Sequence, residues 1–75
     1  MPHIIVKLWT GKSKEHKKEL ADALVKTAMS VIGYKEESFS VAIEDVEPKD
    51  WAQQVYKPDI MEQQEKIYKA PGYSM

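Results

Sequence analysis

The apolar positions of this chain repeat with two different periods, and the changes of period mark out its elements. Residues 3–9, His-Ile-Ile-Val-Lys-Leu-Trp, are rich in β-branched and aromatic side chains and hold no Gly or Pro, which predicts a strand. Ile4, Val6 and Leu8 share one face. Ile5, Lys7 and Trp9 share the other, also largely apolar, as in a strand covered on both sides. Thr10-Gly11-Lys12 reads as a turn, and Ser13 as a helix N-cap with Glu15 near the positive end of the dipole. Position 16 holds His where a full capping box has Glu or Gln. Leu20, Ala21, Leu24, Val25, Ala28, Val31 and Ile32 then recur at helical spacing, with Lys14, Lys17, Lys18 and Asp22 on the other side. This predicts a helix over 14–32 with Gly33 as its C′ residue. Phe39-Ser40-Val41-Ala42-Ile43 alternates and predicts a second strand, stopped by Glu47-Pro48. Pro48-Lys49-Asp50-Trp51 reads as a short helical turn with Pro in first position. A last helix is predicted from Pro58, with Asp59 and Glu62 early, Lys66 and Lys69 late, and Ala70-Pro71-Gly72 ending it.

Strand, long helix, strand is the order of a parallel crossover, so the fold class is α/β: a β-α-β unit with a short C-terminal helix. No linker or internal repeat divides residues 1–75, which form a single domain. Two strands under one helix leave a sheet edge and one sheet face open. A domain of 75 residues without cysteine has no disulfides to compensate for its small core. His3 and His16 do not sit at a metal-ligand spacing, and no metal is expected. Oligomerisation is the expected source of extra burial: a homodimer with a sheet of four or more strands, or a hexamer.

Net charge is −1, which offers no general attraction to nucleic acid or to an anionic membrane, and neither is an expected partner. All eleven basic residues are lysines. No apolar run approaches the roughly 20 residues of a membrane span. The opening residues lack the features of a signal peptide, so a cytoplasmic protein is expected.

Pro2 opens directly into the first apolar strand. Removal of Met1 is favoured when the next residue is small, and it leaves Pro2 with a free secondary amine. Burial in an apolar pocket, or a nearby cation, disfavours the ammonium form and turns the nitrogen into a base at neutral pH. The pyrrolidine ring fixes the direction of the lone pair.

Met-Pro, an apolar strand, Gly-Lys-Ser, a helix of about 19 residues, Ser-Phe-Ser-Val-Ala-Ile and an aromatic shortly after follow one another in that order. In this order and spacing the whole chain resembles the 4-oxalocrotonate tautomerase family. Trp51, the Pro58–Lys69 segment and the ending Pro71-Gly72-Tyr73-Ser74-Met75 resemble its longer-tailed bacterial branch. That branch is dimeric and its implied substrates are phenylpyruvate-type enols.

The resemblance implies that Pro2 is the catalytic base and that no cofactor is needed. It implies a cationic carboxylate binder just before the first helix, where this chain has Lys12 rather than arginine. Lysine brings charge but no planar two-pronged clamp. A second arginine of the family aligns with Ser40, which brings no charge. The expected substrate is therefore a 2-oxo or enol acid with one carboxylate and an apolar or aromatic tail. Trp51 corresponds to the family's aromatic pocket wall, and Phe39 is a second candidate for that role. His3 and His16 are expected to be incidental.

Two other activities fit the same residues. A hydratase or dehalogenase would keep Pro2 protonated and use it as an acid. A non-catalytic dimeric module would only bind a small acid or a partner protein, a reading motivated by the missing arginines.

Overall fold

The computed structural model describes residues 1–75. Strand β1 runs His3–Trp9, helix α1 Lys14–Ile32 and strand β2 Ser40–Val46. The strands pair in parallel, from His3 opposite Ser40 to Trp9 opposite Val46. The predicted α/β crossover unit is therefore present. Helix α1 starts where the sequence places it, because Ser13 Oγ accepts the His16 N–H at 3.1 Å. It stops at Gly33, whose φ of 84° is a left-handed cap that only glycine adopts without cost.

Strand β2 reaches three residues beyond the alternating stretch, to Val46. Glu44 and Asp45 break the apolar pattern, yet the ladder continues because Asp45 has a partner: its carboxylate accepts from Lys17 Nζ of α1 at 2.7 Å. That pair fixes the orientation of the sheet. Ile4, Val6, Leu8, Val41, Ile43 and Asp45 face α1, and strand alternation sends Ile5, Lys7, Trp9, Ala42 and Val46 to the second face.

The C-terminal part departs from expectation. A turn at Pro48–Asp50 begins with proline as predicted, but the helix then starts at Ala52 and not at Pro58. Residues Ala52–Ile60 form widened π-type turns with Pro58 inside, and a 3₁₀ stretch Met61–Lys66 follows. In an α-helix the Pro58 ring would collide with the carbonyl four residues back, and the wider turn relieves that collision. This segment also lies over part of the second sheet face, where Asp59 accepts from Lys7 Nζ at 2.5 Å. The face expected to be open is thus partly covered by the chain's own tail.

Burial is sparse. Only Val46 and Val55 are buried, at 7 % and 5 % exposure. The α1 residues Leu20, Ala21, Leu24, Val25, Ala28 and Met29 are half-buried, while Val31 and Ile32, expected on the packed stripe, are exposed. The accessible surface is 6066 Å². A folded monomer of this mass exposes about 4,700 Å². The excess lies in apolar groups such as Ile5 and Trp9, exposed at 56 % and 58 %. No helix is long and apolar enough to cross a membrane.

Candidate functional site

Pro2 stands at the open end of β1. Its carbonyl accepts the Ser40 N–H at 3.2 Å, so the residue is tied into the ladder one step before the first paired position. Alternation puts Pro2 on the α1 side of the sheet, the side of Ile4. Phe39 lies at the same end and, by the same alternation, on the same side. It lines a groove of about 510 Å³ with Ala21, Val25, Met29, Glu36 and Val41. The Phe39 ring is half-buried and meets Tyr34 edge-on, with centroids 6.4 Å apart.

The side chain of Ser40 turns to the second face. Its Oγ lies 2.6 Å from His3 Nδ1. Pro2, Phe39 and Ser40 are therefore gathered at one end of the sheet, with Ser40 engaged by its neighbours through both backbone and hydroxyl.

Lys12 and Trp51 are elsewhere. The seven steps from Pro2 to Trp9 span about 23 Å of strand, and Lys12 follows the far end. It lines a cavity of about 220 Å³ with Leu8, His16, Lys17 and Leu20, on the α1 side. Lys17 is held by Asp45, which leaves the Lys12 ammonium and the His16 imidazole as the polar groups of that cavity without a carboxylate partner. Trp51 follows β2 and sits on the second face, lining a cavity of about 450 Å³ with Ile5, Lys7, Val55, Asp59 and Ile60. Its indole N–H donates to Tyr73 Oη at 2.9 Å, and Tyr73 packs against Tyr56 with centroids 5.7 Å apart. The Asp59 carboxylate holds the Lys7 ammonium above its ordinary lysine pKa, chiefly through their hydrogen bond.

One chain thus brings Pro2, Phe39 and Ser40 together but places Lys12 at the other end of β1, beyond the reach of any side chain. His16, expected to be incidental, is exposed at the helix start and yet lines the Lys12 cavity. The spacing from His16 to Leu20 is one helical turn, which puts both on the face that closes the Lys12 cavity. Tyr73 lies in the C-terminal tail, and its hydroxyl is the group that fixes Trp51.

The family model described as "Tautomerase enzyme" matches residues 2–57. The match begins at Pro2 and takes in both strands and the long helix. The chain belongs to the tautomerase family. It is an enzyme of the isomerase class. Among its relatives, a protein from Xylella fastidiosa named "Probable tautomerase" is 53 % identical over 73 residues, covering 97 % of this chain and 89 % of that one. A protein from Cronobacter sakazakii named "Tautomerase PptA" is 36 % identical over 76 residues and matches along the full length of both. A solved structure of TomN, described as a 4-oxalocrotonate tautomerase homologue in the tomaymycin biosynthetic pathway, superposes with a TM-score of 0.65. That match is 32 % identical and covers 67 % of this chain and 77 % of TomN. Against the full-length relatives, the tautomerase tail after residue 57 is shared as well, although the family model stops there.

Proposed function

We propose that, once Met1 is removed, this tautomerase interconverts enol and keto forms of 2-oxo acids with one carboxylate and an aromatic tail, of the phenylpyruvate type, without a cofactor. The Pro2 nitrogen is the base. It takes the enol hydroxyl proton and delivers a proton to the adjacent carbon, so the amine is regenerated and nothing else is consumed. The observation that carries this reading is the anchoring of Pro2. The Ser40 N–H holds its carbonyl in the ladder, so the nitrogen projects from a fixed strand end rather than a frayed terminus. Met1 is 97 % exposed and open to removal.

Because Pro2 and Lys12 lie at opposite ends of β1, this reading has two chains complete the site. A homodimer with two-fold symmetry sets the start of one β1 against the end of the other when the strands run antiparallel. Pro2 and Phe39 of one copy then meet the Lys12 cavity of its partner. Lys12 binds the carboxylate with charge, His16 supplies a second N–H donor beside it, and backbone N–H groups or a water polarise the carbonyl. Phe39 supplies an apolar wall for the tail, whereas Trp51, held by Tyr73 on the opposite face of the sheet, lies away from this pocket. The large exposed surface of the single chain supports such an assembly. The cytoplasm is the expected location.

The test is Pro2→Ala in protein whose mass shows that Met1 is gone. Loss of most phenylenolpyruvate turnover is expected. Turnover equal to the parent would sink the proposal.

A further inference from the structure

The start of β1 carries a second contact that the reaction scheme does not use. His3 Nδ1 and Ser40 Oγ lie 2.6 Å apart on the face opposite α1. The same two residues form the first paired position of the ladder, and the Ser40 N–H already holds the Pro2 carbonyl at 3.2 Å. The peptide group joining Pro2 to His3 is therefore held at both ends: its carbonyl by the Ser40 backbone, and its following residue by the Ser40 hydroxyl.

We propose that His3 and Ser40 are positioning residues that clamp this peptide plane and so hold the Pro2 nitrogen in its reacting orientation. The proposal rests on Pro2 acting as the base. The pyrrolidine ring removes rotation about N–Cα. With the peptide plane clamped, rotation about the Pro2 Cα–C bond is the one soft torsion that moves the nitrogen. Loosening the plane adds motion of the whole ring relative to a bound substrate, and proton transfer is steep in donor–acceptor geometry. A serine hydroxyl both donates and accepts, so the contact persists with either imidazole tautomer. Both side chains are exposed, so the contact adds little to global stability and its effect concentrates at the strand end. Ser40 thereby acts through Pro2 and not on the substrate.

The experiment compares Ser40→Ala, His3→Phe, the double variant and Ser40→Thr in protein with Met1 removed. Phenylalanine keeps the strand preference and bulk of His3 while removing Nδ1. Two readouts are taken: kcat and KM on phenylenolpyruvate, and the titration of the Pro2 amine followed by NMR of an isotopically labelled proline nitrogen. Each single variant is expected to lower kcat about tenfold with KM within about twofold, and the double to be no worse than either. Ser40→Thr, which keeps the hydroxyl, is expected to retain near-parental kcat. The Pro2 amine is expected to titrate about half a pH unit or more higher in Ser40→Ala and His3→Phe, as the loosened end becomes better solvated. Unchanged kcat and an unchanged amine titration overturn the proposal. So does a raised KM in Ser40→Ala with His3→Phe at parental values, since that marks Ser40 as a substrate contact. Full activity in Pro2→Ala would instead defeat the base assignment, and the amine titration would still report on the clamp by itself.

Discussion

Mixing two impaired variants gives the sharpest consequence of the fold. Pro2→Ala removes the proposed base, and Lys12→Ala removes the proposed carboxylate contact. Loss of a charged hydrogen bond costs about 1.5–3 kcal/mol, so Lys12→Ala alone is expected to lower kcat/KM about 10- to 100-fold. Within one chain the two positions are separated by about 23 Å of β1. A site holding both must then take Pro2 from one copy and Lys12 from another. When the two variants are refolded together in equal amounts, each site draws its Pro2 end and its Lys12 end from different chains. About a quarter of all sites receive both native residues. The same fraction holds for any assembly in which the two ends come from independent chains. The assay is phenylenolpyruvate turnover by the mixture, with the variants carrying different tags to verify exchange. Recovery to about a quarter of parental activity is expected. Verified exchange with activity no higher than the mean of the two variants alone would refute the shared site.

Other consequences are open to simpler measurements. With Pro2 as a base, kcat/KM rises with pH through the pKa of the free amine and then levels; a fall through that pKa marks the protonated, acid role of a hydratase or dehalogenase. Ser13→Ala removes the side-chain cap of α1 and is expected to cost about 1 kcal/mol, a drop of about 4–8 °C in Tm by calorimetry, with kcat unchanged. The Lys7 ammonium is held above its ordinary pKa by Asp59, so the stability it contributes is complete below the unfolded lysine value and is lost as pH rises through the folded one. Asp59→Asn should therefore lower Tm by a few degrees at neutral pH, and the gap to the parent should close in strongly alkaline solution; a gap independent of pH would assign the effect to packing instead.

Local signals made most of the fold legible. The β-branched and aromatic run of β1, the Ser13 cap and the left-handed Gly33 each act within a few residues of themselves, and their consequences appear where the sequence places them. The misreadings come from contacts that are distant along the chain. The alternation of β2 ends at Ile43, and what carries the ladder on to the Glu47-Pro48 stop is the pairing of Asp45 with Lys17, 28 residues away. Pro58 looked like a helix start because proline is excluded from an α-helix interior, whereas the segment over the second sheet face is wound more loosely. Val31 and Ile32 continued the apolar stripe of α1 but are exposed at 75 % and 53 %. For the candidate site, the place of Pro2 at a strand start was legible in the apolar run that follows it. The separation of Pro2 from Lys12 follows from strand length alone. The pairing of His3 with Ser40 did not, because it depends on the register between two strands, which only the folded ladder defines.

The central claim is that a free proline amine performs the proton transfer. It is tested most directly by measuring phenylenolpyruvate turnover for the same chain with Met1 removed and with Met1 retained, each verified by mass. The two forms share every other side chain, and in the retained form the Pro2 nitrogen is an amide whose lone pair is delocalised into the Met1 carbonyl and cannot serve as a base. Turnover confined to the Met1-free form is the predicted result. Equal turnover by both forms would contradict the account.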